Sequence, residues 1–205
     1  MHLILQMYLG GILRKRDLST FYILHFKNNV KSKAPTLKIY QKYFEQGFQY
    51  LDKFCFPERE ILGVEEKLFF NVAKKPFVGY IDVISNDGGL IITDHKSRIL
   101  KPRSNRKKPT KHDEELDAYF KQLYLYSVAI KDKYGKYPDF LEFNCFRSQA
   151  IIREPFDIER LHSVEEWAGN KIEQITSNEE WVARPDYWRC NYLCDVCSEC
   201  EYKNI

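Results

Sequence analysis

The chain has 205 residues, of which 44% are hydrophobic and 30% charged, and it carries a net charge of +3. That is enough for one sizeable domain and marginal for two, and it excludes a disordered, fibrous or membrane-spanning chain. The net charge is too small to imply a nucleic-acid partner by itself, although its distribution along the chain is uneven.

The segment from His2 to Leu13 is mostly apolar but is interrupted by Gln6, Gly10 and Gly11, so it reads as a helix too short to cross a bilayer. Asp17-Leu18-Ser19-Thr20 opens a second helix to about Val30. Residues Leu37 to Phe54 form a third, with Tyr40, Tyr43, Phe44, Phe48 and Leu51 at helical spacing. Strands follow over Ile61–Val72, Phe77–Ser85 and Leu90–Ser97. Arg98 to Lys111 holds seven basic residues, two prolines and no acid, and reads as a mobile loop. A long helix from Asp113 to about Tyr134, strands over Phe140–Arg147 and Ala150–Pro155, and a helix over Ile158–Ile175 complete the body. This order gives an α/β or α+β layout, a small mixed sheet flanked by helices in a single domain over 1–205. A Cys-rich tail over 186–205 belongs to that domain.

The chemistry concentrates in two neighbouring strands. Gly79-Tyr80-Ile81-Asp82-Val83-Ile84 and Ile91-Ile92-Thr93-Asp94-His95-Lys96 flank Asn86-Asp87-Gly88-Gly89, a strong turn signal. A turn centred on Gly88 sets Asp82 opposite Asp94, and alternation puts Asp94 and Lys96 on one face. Two carboxylates and an ammonium buried together are costly unless a cation or a substrate charge completes them. Hard carboxylate oxygens suit Mg²⁺ or Mn²⁺, the His95 carbonyl offers a further ligand, and Lys96 can act on water or phosphate. One of Glu65 and Glu66 is a candidate for an extra carboxylate. The alternative for the hairpin is a surface Asp–Lys pair, against which the apolar surroundings of Asp82 argue.

These motifs resemble the PD-(D/E)XK (restriction-endonuclease-like) nuclease superfamily, and within it the RecB-like branch with the phage and CRISPR-associated exonucleases. The Gly-x-x-Asp strand is matched at Gly79 and Asp82, the (Asp/Glu)-x-Lys strand at Asp94 and Lys96, and Gln-x-x-x-Tyr on the next helix at Gln122 and Tyr126. His2 looks like the family's metal-binding His. The resemblance implies a metal-dependent DNA nuclease, exonucleolytic, with Asp82, Asp94 and His2 on the metal and with Gln122 and Tyr126 positioning Lys96 or the DNA. Because Met1 directly precedes His2, the family's opening segment is expected to be missing. A catalytically impaired remnant that binds DNA or a partner is the alternative, as is a zinc-containing interaction protein.

Four of the six cysteines crowd the tail as Cys190, Cys194, Cys197 and Cys200. Such spacing lets thiolates converge on one ion or cluster. Without a signal peptide, a reducing cytoplasmic setting is expected, where clustered Cys bind metal more often than they form disulfides. The resemblance implies a 4Fe–4S cluster on Cys190, Cys194 and Cys200, with Cys197 or Cys55 standing in for an early Cys. Zn²⁺ on all four tail Cys is the rival. The basic loop (Arg98, Lys101, Arg103, Arg106, Lys107, Lys108 and Lys111) starts next to Lys96 and is expected to hold the DNA backbone. DNA is thus the expected partner, with a helicase or another recombination or repair protein, and no membrane. Trp167, Trp181 and Trp188 show no spacing that suggests base stacking.

Overall fold

The computed structural model describes residues 1–30, 36–54, 56–177 and 183–202. Three helices come first: α1 (His2–Leu9), α2 (Leu18–Asn29) and α3 (Leu37–Asp52). Strands β1 (Glu60–Val72), β2 (Lys75–Asn86) and β3 (Leu90–Lys96) follow, then α4 (Lys111–Tyr134), β4 (Phe140–Cys145), β5 (Ala150–Pro155), α5 (Ile158–Ser177) and the short α6 (Tyr187–Tyr192). The five strands form one sheet in the order β1-β2-β3-β4-β5. Only β3 and β4 run parallel, because α4 provides the crossover between them. The sheet is therefore mixed, with α4 and α5 on one face and the N-terminal helices on the other.

The first helix is shorter than its apolar pattern suggests. Gly10 and Gly11 follow its last turn, and Gly11 adopts a left-handed φ of 76° that ends it. The long helix starts earlier than expected, at Lys111. Thr110 caps it by accepting from the Asp113 N–H, and the Asp113 carboxylate accepts in turn from the Thr110 N–H, forming a capping box. Asp113 also accepts from the Ser104 N–H and hydroxyl at 2.7 Å each. These donors hold its carboxyl well below the usual carboxylate range.

Two cores follow from the layers. Ile84, Ile92, Leu116, Phe120, Leu123, Leu141 and Phe143 pack between the sheet and α4. Leu5, Leu18, Tyr22, Leu51, Phe54 and Phe146 pack among the N-terminal helices. The basic segment 98–110 contains no helix or strand, but it is tied to the body rather than loose. Arg103 bonds Asp117 at 2.6 Å and Glu154 at 2.9 Å, and Arg160 grips the same two acids.

Candidate active site

Strands β2 and β3 pair with Val83 opposite Thr93 and Asn86 opposite Leu90. That register carries Asp82 to the level of Asp94, just past the end of the backbone ladder. The Asp82 carboxylate takes over the strand's next donor: the His95 N–H points to its Oδ2 at 2.6 Å. Asp82 is thereby fixed at the mouth of the gap between the two strands.

Alternation along β3 sends Asp94 and Lys96 toward α4. The Lys96 ammonium lies 2.8 Å from Asp94 Oδ2 and donates to Gln122 Oε1 at 2.9 Å. The Gln122 amide donates in turn to the Tyr126 hydroxyl at 2.9 Å. Four-residue spacing on α4 makes this chain possible. Tyr126 lies directly over Gly79, where an added Cβ would come within 2.6 Å of its ring. The glycine of the Gly-x-x-Asp strand is thus explained by the ring that orients the lysine. The Lys96 ammonium also lies 5.2 Å from the Tyr119 ring centre and 5.4 Å from that of Phe143.

His2 and Glu65 converge on Asp82; Asp94 is not in that trio but lies close enough to feel the charges of Asp82 and His2. The ligand atoms of His2, Glu65 and Asp82 all lie within 4.8 Å of one another, the one such trio of His, Cys, Asp or Glu among the described residues. Glu65 occupies a left-handed backbone conformation, φ 51°, within β1. A non-glycine residue rarely takes that conformation inside a strand, and such strain gathers at functional sites. Of the two glutamates singled out in the sequence, Glu65 faces the site, whereas Glu66 is paired with Lys133. No sequence signal separated them, because the distinction arises from the backbone twist at Glu65.

Burial raises the pKa of Asp82, opposed by the His95 N–H bond and by His2, with Glu65 pushing it further up. Burial also raises Asp94, which Lys96 partly counters. The donors suit a hard divalent cation: one imidazole nitrogen and several carboxylate oxygens, in a pocket where uncompensated negative charge is unfavourable.

The His95 side chain belongs to the opposite face. Its ring is buried and accepts from the Asn144 amide at 3.1 Å, while Asn144 also donates to the Tyr50 hydroxyl at 2.7 Å. Burial, with the nearby positive groups, lowers its pKa to about 3, so it is a neutral acceptor. Its ring centre is 5.8 Å from that of His2.

Other sequence candidates are placed less uniformly. Arg103 is engaged with the body of the fold, its guanidinium shared between Asp117 and Glu154. Arg98 pairs with Glu115 at 2.6 Å. Ion pairs among the described residues leave Lys101, Arg106, Lys107, Lys108 and Lys111 uncommitted; Lys101, Arg106 and Lys111 line a shallow depression with Ser104 and Asp113. Cys190, Cys194, Cys197 and Cys200 are free thiols at or near the surface. No three of them bring their sulfurs within 4.8 Å of one another. Cys55 and Trp181 lie outside the described residues.

A mixed sheet with an acidic pair and a lysine at the end of adjoining strands defines the restriction-endonuclease-like class of hydrolases. The family model for the PD-(D/E)XK nuclease superfamily matches residues 2–205, and the chain belongs to that superfamily. Among solved structures, a proposed exonuclease from Eubacterium rectale is similar at 16% identity and a TM-score of 0.46, over 95% of this chain and 79% of that one. The protein SSO0001 is similar at 20% identity and a TM-score of 0.35, over 99% of this chain and 94% of that one. No curated protein matches the chain. Among the described residues, no helix is long and apolar enough to cross a membrane.

Proposed function

We propose that the protein is a Mg²⁺- or Mn²⁺-dependent deoxyribonuclease of the RecB-like branch that degrades DNA from its ends. Membership of the nuclease superfamily supports hydrolysis of nucleic acid. The observation that carries the rest is the convergence of His2, Glu65 and Asp82 within 4.8 Å, with the Asp94–Lys96 pair on the adjoining strand close enough for its charges to act on Asp82.

Asp82, Asp94 and His2 would hold the cation, with Glu65 and the His95 carbonyl beside them. A bound divalent cation supplies neutralising charge for the phosphoryl oxygens and a more acidic water. The chain's own groups do the positioning. Lys96 is held between Asp94 and Gln122, which keeps its ammonium in one place and leaves a donor to face the scissile phosphate. Gln122 cannot turn its oxygen away from Lys96 without losing its own bond to Tyr126. Lys101, Arg106, Lys107, Lys108 and Lys111, in the segment that starts just after β3, would contact the DNA backbone as sequence-independent cations.

The tail spacing supports a separate structural metal centre. Cys190, Cys194 and Cys200 would hold a 4Fe–4S cluster with Cys197 or Cys55, or all four tail thiols would hold Zn²⁺. Metal analysis of anaerobically purified protein finding neither iron nor zinc would remove that centre.

The activity is tested with end-labelled linear and closed circular DNA in Mg²⁺ or Mn²⁺, comparing wild type with Asp94→Ala and Lys96→Ala. Wild type is expected to degrade linear DNA from the ends and both variants to be inactive. Cutting of the circle would make the enzyme an endonuclease. Binding without cleavage by wild type would replace the hydrolase with a DNA-binding protein.

A further inference from the structure

We infer that the outer face of the β1–β2 ribbon is a stacking platform for the bases of single-stranded DNA leading to the hydrolytic site; this rests on the nuclease reading above.

The ribbon pairs from Val72 opposite Lys75 back through Phe69 opposite Val78 and Lys67 opposite Tyr80. Its inner face packs on the helices: Phe70 and Phe77 join Ala129 and Ala168, and Gly79 lies under Tyr126. Among the described residues, the outer face is left largely open. Phe69 is 74% exposed, and Tyr80 and Val78 are each 51% exposed. Lys67 rises between the two rings, its ammonium 5.2 Å from the centre of Phe69 and 5.7 Å from that of Tyr80.

Charge decides what fits here. From Lys67 to Tyr80 the ribbon contains Lys67, Lys74 and Lys75 and no acid. The neighbouring Glu66 is turned to Lys133 on α4 and does not neutralise Lys67. A lysine in the middle of an exposed aromatic patch is unlike the centre of a protein interface, where lysine is depleted. It matches single-stranded nucleic acid, whose bases stack on exposed rings while cations meet the phosphates.

Position supplies the second argument. Tyr80 precedes Asp82 by two residues, and Lys67 follows Glu65 by two, so each stands about 7 Å along its strand from a site carboxylate. A strand whose phosphate lies at Asp82 would pass its adjoining bases across Tyr80 and then Phe69. Paired bases keep their faces within the duplex stack and cannot use such rings, so the platform favours an unpaired strand.

The test uses the cleavage-deficient Asp94→Asn protein with EDTA, and oligonucleotides carrying 2-aminopurine as the stacking reporter. Phe69→Ala with Tyr80→Ala is expected to weaken single-strand binding about tenfold or more, to relieve 2-aminopurine quenching, and to leave duplex binding nearly unchanged. Tyr80→Phe is expected to retain both signals. Lys67→Ala is expected to lower the salt slope by about 0.7. These side chains are exposed, and unchanged melting of the variants establishes that they are folded. Unchanged single-strand affinity and quenching in the double variant would overturn the inference. So would unchanged affinity accompanied by loss of a dimer, which would make the face a protein contact. Self-association of Lys67→Ala without loss of affinity would also overturn it, reducing the lysine to a guard on an edge strand. Failure of wild type to cleave DNA, with ring-dependent single-strand binding intact, would instead remove the nuclease reading and leave the platform standing.

Discussion

On one face of β3, Thr93 and His95 lie against the N-terminal layer; on the other, Asp94 and Lys96 lie against α4. Both faces bury charge, but they satisfy it differently. On the first, Glu142 of β4 is fully buried, and each of its oxygens has two donors. Oε1 accepts from Arg59 at 2.5 Å and from Thr93 at 2.9 Å; Oε2 accepts from Arg59 at 3.1 Å and from Arg153 at 2.9 Å. Burial raises the Glu142 pKa, but the bonds and charge of Arg59, then Arg153 and Thr93, outweigh it and bring the pKa below the ordinary value. On the second face Asp94 accepts from one ammonium, and beside it, in the gap between β2 and β3, Asp82 accepts from one backbone N–H; burial leaves both pKa values raised. A network with its acceptors filled holds a fold together. One with vacant lone pairs and excess negative charge is prepared for a cation.

The largest effect that separates the two faces is catalytic. Lys96→Ala or Asp94→Asn is expected to lower DNA cleavage by about a thousandfold or more. Asp94→Asn should leave the melting temperature unchanged or higher, since it removes an under-compensated buried carboxylate, whereas Lys96→Ala should lower it modestly, since it takes a compensating charge from Asp94 and Asp82. Loss of activity through unfolding, seen as a collapsed melting transition, would erase the distinction. Next comes Glu142→Ala, expected to destabilise the protein by about 3–5 kcal/mol because it strands the buried Arg59 guanidinium. Denaturant unfolding measures this, and a loss below about 1 kcal/mol would mean that Arg59 is readily solvated. Gly79→Ala is expected to cost roughly 1–3 kcal/mol, because the new methyl group collides with Tyr126. Displacing Tyr126 should also reduce cleavage while leaving the metal-induced gain in melting temperature in place.

The smallest effect is on pH dependence, and the two faces have opposite signs. The folded pKa of Glu142 is depressed, so its stabilisation is present above its unfolded pKa of about 4.3 and is lost as pH falls through the folded value. The folded pKa values of Asp82 and Asp94 are raised, so these groups favour the folded state when protonated and destabilise it as pH rises from about 3.9 through the folded values. In metal-free protein, Asp82→Asn with Asp94→Asn should flatten the upper part of the stability–pH curve, whereas Glu142→Gln should alter the acid side. The gain in melting temperature on adding Mn²⁺ should grow with pH over the range in which the two aspartates ionise.

The same contrast shows where the sequence was informative. The placing of Asp82 level with Asp94, and of Asp94 and Lys96 on one face, was legible because a tight Asn86–Gly89 turn fixes the register. Gln122 and Tyr126 were marked only by the resemblance to the family's Gln-x-x-x-Tyr, with the four-residue spacing giving them a common face. The mixed sheet was legible from the order of strands and helices. The polar face of β4 was not: Glu142 and Asn144 alternate with Leu141, Phe143 and Cys145 as on a solvent-exposed strand, yet both are buried. Their partners Arg59 and Tyr50 are 83 and 94 residues away in sequence, so no local pattern reveals them. Ala73–Lys74 was equally hidden as a hairpin turn. Both residues take left-handed φ values, 49° and 61°, without the glycine or asparagine that marks such turns. Arg103 was read as a free cation because Asp117 and Glu154 come near it only in three dimensions.

Mn²⁺ binding to the isolated protein, followed by electron paramagnetic resonance, tests most directly whether the open face is built for a cation. The arrangement at β2 and β3 predicts saturable binding at the site, abolished by Asp82→Ala or Asp94→Ala and retained in Glu142→Gln. Equal Mn²⁺ binding by wild type and Asp82→Ala would contradict it.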